Sequence, residues 1–147
     1  MNKVIVKVKS RQQDMDGEVN KIEMMAEGKH YYRNGKHYVL YEDVSLGEHG
    51  GVSTVLKIAP DSLLLLRTGG VEQEQLFRDA QESSSIYRTP YGDLRLSIRT
   101  NRLKIIYGNV SGNIEVDYTM SVNGQPQGAN NLQIEVCAAA DEKGKLN

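Results

Sequence analysis

Three histidines, His30, His37 and His49, are the side chains best equipped for chemistry in this chain. Imidazole is both a metal ligand and a proton acceptor near neutral pH. Asn34-Gly35 lies midway between the first two, and that dipeptide favours the positive φ angles of a two-residue hairpin. Such a hairpin sets Tyr32 opposite His37 and His30 opposite Val39. His30 and His37 then become diagonal neighbours on one sheet face, roughly 7–8 Å apart at the backbone, with Tyr32 and Tyr41 beside them. A zinc site needs a third protein ligand. His49 in a glycine-rich stretch is the remaining imidazole, and nothing in the sequence places it near the pair. The plainer reading is a polar, partly exposed sheet face, and no metal is expected.

Other constellations are thinner. Ser83-Ser84-Ser85 offers hydroxyls but no Gly-x-Ser-x-Gly elbow. Cys137 could act as a nucleophile only with a base and a depressed pKa, and no partner is visible. Glu72 and Glu74 fall on one face of a strand and read as solvated charges. No Gly-x-x-x-x-Gly-Lys phosphate loop occurs. Between Arg88 and Lys104 stand five basic residues (Arg88, Arg95, Arg99, Arg102, Lys104) against one acid, Asp93, with Tyr87, Tyr91 and Tyr107 nearby. Basic residues interleaved with aromatics can hold single-stranded nucleic acid. A net charge of −1 and the absence of Trp speak against that partner. No catalytic residue and no cofactor are expected, and a non-enzymatic role is favoured.

These side chains must be positioned by strands. Apolar residues recur with period two, which marks a sheet with one buried face. Val4, Val6 and Val8 alternate with lysines. Ile22, Met24 and Ala26 alternate with charged residues, as do Leu94, Leu96 and Ile98. The longest stripe is Ile114, Val116, Tyr118, Met120 and Val122, and Leu132, Ile134 and Val136 close the pattern. Tyr38 to Tyr41 and Leu63 to Leu66 are apolar on both faces, so they lie under other structure or meet a partner. Asp16-Gly17, Asn34-Gly35 and Asn123-Gly124 supply turns. Val71 to Gln81 lacks a helical stripe and reads as a strand.

The totals agree with one globular domain: 147 residues, 39% hydrophobic and 25% charged, enough apolar surface to offset ordering entropy. One cysteine cannot form an internal disulfide. Lysines interrupt the first apolar stretch, so no signal-peptide core is expected, and Leu63 to Leu66 is too short to span a bilayer. A cytoplasmic protein with no membrane contact is the simplest expectation. The fold expected is all-β: a single small antiparallel closed β-barrel of about 8–10 strands over residues 1–137, with 138–147 a disordered tail. A sandwich is the competing architecture.

One stretch is more distinctive. Tyr87-Arg88-Thr89-Pro90-Tyr91-Gly92-Asp93-Leu94-Arg95-Leu96 is preceded by Gly28-Lys29-His30-Tyr31-Tyr32, Thr54-Val55-Leu56-Lys57 and Arg67-Thr68-Gly69. It is followed by Gly112-Asn113-Ile114-Glu115-Val116-Asp117-Tyr118 and Asn131-Leu132-Gln133-Ile134. In this order and spacing the chain resembles the bacterial YwiB-like proteins of unknown function, over roughly Val4 to Val136. The resemblance implies a calycin-like barrel similar in shape to lipocalins. It implies no catalytic residue.

A barrel of this size is either filled by side chains or holds one small ligand. The inward set expected to meet a ligand comprises Arg67, Tyr87, Tyr91, Leu94, Leu96, Tyr118 and Met120, and a buried tyrosine hydroxyl there needs a partner: a ligand, a water or Arg67. Met24 and Met25 would add adaptable surface. The first expectation for function is binding of a small, mostly apolar ligand. The alternative is a filled barrel acting as a protein-interaction module or homodimer, motivated by the two-faced strand at Leu63 to Leu66.

Overall fold

The computed structural model describes residues 1–43 and 52–139. Ten strands follow one another: β1 (Asn2–Gln13), β2 (Val19–Arg33), β3 (Lys36–Asp43), β4 (Val52–Ile58), β5 (Ser62–Gly69), β6 (Gln73–Arg78), β7 (Glu82–Thr89), β8 (Gly92–Tyr107), β9 (Gly112–Val122) and β10 (Gln125–Ala138). Val71 to Gln81 thus contains a strand rather than a helix. Ala138 ends β10, one residue past the expected boundary, and 140–147 lie outside the described residues. Among the described residues no helix is long and apolar enough to cross a membrane.

Tight turns let neighbouring strands pair. Asn34 and Gly35 adopt φ of 52° and 78°, and Asn123 and Gly124 adopt 50° and 83°, the paired positive angles of hairpin turns. Asp14 Oδ1 accepts from the amides of Asp16 and Glu18 and so fixes the β1–β2 turn. The strands pair antiparallel in the order β6-β5-β4-β3-β2-β1-β10-β9-β8-β7. Pairing of β1 with β10 joins the first and last strands. β6 and β7 are left facing each other, and their meeting closes the barrel.

That seam is built differently from the other pairings. A single backbone bridge joins Glu72 to Arg88, with N···O distances of 2.9 and 2.8 Å. Between the bridge and the β6–β7 turn, the Gln75 side chain does the joining. Its Nε2 donates to the Leu76 carbonyl at 2.9 Å and to Ser83 Oγ at 2.8 Å, and its Oε1 accepts from Ser85 Oγ at 2.8 Å. Ser83 Oγ also donates to the Leu76 carbonyl at 2.7 Å. Two of the three consecutive serines, Ser83 and Ser85, are therefore structural.

Two bulges bend the wall. In β8 the register slips between Thr100 and Arg102, so Leu94, Leu96, Ile98 and Thr100 point inward, and after Asn101 the inward set becomes Leu103, Ile105 and Tyr107. In β10 the slip lies between Pro126 and Gly128. Gly128 has φ of 107°, and a Cβ there would collide with the Gln13 carbonyl oxygen, so only glycine suits the position.

The interior is not uniform. Val4, Val6, Val39, Leu56, Ile58, Leu63, Ile114, Val116, Ile134 and Val136 form a packed core. They fill the half of the barrel nearer the β2–β3, β4–β5, β6–β7 and β8–β9 connections. The other half, toward the β1–β2, β5–β6, β7–β8 and β9–β10 turns, is only partly filled.

Candidate functional site

The partly filled half holds a cavity of about 340 Å³. Its walls come from nine of the ten strands, all but β4. Leu65 and Phe77, Leu94, Leu96 and Ile98, and Met24, Met120 and Leu132 supply apolar wall. Ser10, Gln12, Arg67, Gln73, Gln75, Tyr87 and Tyr118 supply polar points. Six of the seven expected interior residues line it: Arg67, Tyr87, Leu94, Leu96, Tyr118 and Met120.

Tyr91 does not, and here the sequence expectation is corrected. It sits in the β7–β8 turn, 86% exposed. Gly92 with φ of 131° turns the chain, so the alternation that carries Tyr87 inward ends before residue 91. Met25, on the opposite face of β2 from Met24, is likewise outside at 68% exposed. Gln73 and Gln75 were not foreseen. The spacing Gln73, Gln75, Phe77 places all three on one strand face, which was the available signal.

The polar part of the cavity centres on Arg67. Its Nη1 donates to Gln73 Oε1 at 3.1 Å. Among the described residues no carboxylate lies within ion-pair distance of it. Among the described residues three buried side-chain polar atoms lack partners: Arg67 Nε, Thr54 Oγ1 and Thr100 Oγ1. Thr54 pairs with Arg67 across β4 and β5, and Thr100 pairs with Tyr118 across β8 and β9. Burial pushes the Tyr118 hydroxyl pKa up, while Arg67 pulls it back down. The Tyr118 ring leans on Phe77, centroids 5.2 Å apart.

The histidines sit at the other end. The Asn34-Gly35 hairpin sets Tyr32 opposite His37 and His30 opposite Val39. His30 Nε2 lies 2.9 Å from His37 Nδ1, and His30 Nδ1 lies 3.1 Å from Asn2 Nδ2. With the Asn2 amide donating, His30 accepts at Nδ1 and donates from Nε2 to His37, so both rings are neutral. Tyr107 of β8 stacks on both, with centroid distances of 5.8 Å to His30 and 4.1 Å to His37. Its hydroxyl donates to the Val110 carbonyl at 2.6 Å, and burial pushes its pKa up to about 12. His30 is 1% exposed, not part of a solvated face. No group of three or more potential metal ligands occurs among the described residues, and His49 lies outside them.

Burial lowers the pKa of both imidazoles below 6.5, and the neighbouring His37 adds to the effect on His30. The unfolded chain therefore takes up protons before the folded one does. Stability from this pair is complete above pH 6.5 and is lost as pH falls through that value toward the folded pKa values. Urea unfolding at about pH 7.5 and about pH 5.5 should show a loss of stability on acidification. His37→Gln should flatten it. Equal slopes in the two proteins would refute this origin.

The remaining sequence candidates are accounted for by pairing. Arg88 meets Asp93 at 3.2 Å and Arg99 meets Glu82 at 3.8 Å. Arg102 stands opposite Asp117, and Lys104 opposite Glu115. Much of the basic stretch thus faces acids. Cys137 is exposed, and its pKa is raised by desolvation and by Glu135, which disfavours the thiolate.

The family described as "Domain of unknown function (DUF1934)" matches residues 6–134. The chain belongs to this family. The "Uncharacterized beta-barrel protein YwiB" of Bacillus subtilis (strain 168) is 28% identical over 132 residues, covering 89% of this chain and 90% of the relative. The crystal structure of the ywiB protein from Bacillus subtilis superposes with a TM-score of 0.83 at 24% identity, covering 94% of this chain and 92% of that one. These DUF1934 relatives share the barrel and carry no assigned activity in their names.

Proposed function

We propose that this protein binds a small, mostly apolar molecule in the open half of its barrel, without enzymatic chemistry. The supporting observation is the cavity of about 340 Å³ with a mainly apolar wall and a few convergent polar groups. Pockets that hold small ligands span roughly 300–1,000 Å³ and share that composition. A cytoplasmic setting fits the single, exposed cysteine.

A neutral environment-sensitive dye, 1-aminoanthracene, should gain fluorescence on binding. Met120→Trp, which fills the cavity, should weaken that binding at least about tenfold. No gain with the wild-type protein, or equal binding by the variant, would reject the reading.

A second reading, a homodimer, has one observation in its favour. Leu40, Val55 and Leu66 are neighbours across β3, β4 and β5 on the outer face, and Leu64 stands opposite Leu76 on β6. These side chains are half-buried, and Ile86 nearby on β7 is 44% exposed. Contiguous outer apolar surface of this kind marks association sites. Native mass spectrometry of freshly purified protein reads both proposals: a retained small molecule supports the first, a dimer the second.

A further inference from the structure

Apolar wall alone would make the cavity indifferent to charge. Arg67 makes it selective. A guanidinium presents five donors in a rigid fork, and the edge formed by Nε and Nη2 matches the two oxygens of a carboxylate. In Arg67 the opposite group, Nη1, is held by Gln73 at 3.1 Å, which fixes the plane of the fork. Among the described residues Nε makes no hydrogen bond, and it is out of solvent. No carboxylate among the described residues neutralises the cation.

The surroundings point the same way. Of the buried side-chain atoms without partners, the other two belong to Thr54 and Thr100, the cross-strand neighbours of Arg67 and of Tyr118. Elsewhere in the barrel buried polar side chains are satisfied, as Gln75 and His30 show. One unsatisfied hydroxyl, that of Thr54, is thus on the residue paired with this cation. A cation partly withdrawn from water is stabilised when an anion joins it.

We infer that the ligand is an apolar molecule carrying one carboxylate, bound with that carboxylate against the Arg67 guanidinium and near Tyr118, and with its apolar body against Phe77, Leu96 and Met120. This rests on the cavity reading and narrows it to a chemical class. A carboxylate, with one negative charge, balances the single cation. A phosphate monoester, at about −1.5 to −2 near neutral pH, leaves excess charge in a half-buried site. Gln73 and Tyr118 are neutral and add no compensating positive charge.

Displacement of 1-aminoanthracene by decanoate and by decanol separates the two readings. The chains match in length and differ only in the head group. Decanoate should displace the dye from the wild-type protein at roughly 10- to 100-fold lower concentration than decanol. Arg67→Met, which keeps the volume and removes the fork, should abolish that preference while leaving dye and decanol affinity in place. Arg67→Lys, which keeps the charge and loses the fork, should retain part of the preference. Circular dichroism confirms that each variant is folded. If dye binds but the two competitors act alike, or if Arg67→Met keeps the preference, the carboxylate assignment is overturned and the cavity reading stands. If neither dye nor decanoate binds the wild-type protein, both fall.

Discussion

Leu56→Ala should lower the free energy of unfolding by roughly 2–5 kcal/mol, whereas Leu94→Ala should lower it by about 1 kcal/mol or less. Both truncate a leucine on the inner face of the same barrel. Leu56 is 0% exposed in the packed half, ringed by Val39 and Leu65 on adjoining strands. Its removal leaves a closed void that the rigid wall cannot fill, so the lost transfer energy and the void add together. Leu94 is 37% exposed and borders the existing cavity. Its removal enlarges a space already there and forfeits few contacts. Urea unfolding followed by tyrosine fluorescence measures both. Equal losses would mean the barrel is packed alike from end to end, and the basis for a ligand site would disappear.

The seam gives the second large effect. Gln75→Leu conserves volume at a side chain that is 2% exposed and removes its bonds to Leu76, Ser83 and Ser85. Each buried group left without a partner costs about 1–3 kcal/mol, so a loss of roughly 2–4 kcal/mol is expected. The loss should be local as well as global. Amide hydrogen exchange in β6 and β7 should speed up more than in β1 and β2, which are paired on both sides. The freed strand edges should also make the variant prone to concentration-dependent association. Replacing Gln75, Ser83 and Ser85 together with apolar residues of similar shape should recover part of the stability, since only the Leu76 carbonyl then loses its side-chain donors. A single Gln75→Leu variant as stable as the wild type would show that the Glu72–Arg88 bridge alone closes the barrel.

The strand pattern was legible because burial on one side of a sheet writes itself into every second residue. Ile114, Val116, Tyr118, Met120 and Val122 all project inward from β9 as their spacing requires. The two-residue hairpin at Asn34-Gly35 was equally legible, since turn length fixes register, and it placed His30 diagonal to His37. Tyr91 was misplaced because alternation was extended through a turn whose glycine reverses the chain. The bulge at Thr100 and Arg102 changes the parity of the apolar residues from Ile98 to Leu103, a slip visible in the sequence only once the strand is known to be continuous.

The sequence by itself determined the strands, their inward faces and most of the hairpins, because those depend on residues two to four positions apart. Only the tertiary structure decided that β6 meets β7 through Gln75, that Tyr107 covers the two histidines, and that one half of the interior is packed and the other open. Each of these depends on the curvature and stagger of the closed sheet. Those quantities set which inward side chains reach the axis, and no local spacing encodes them.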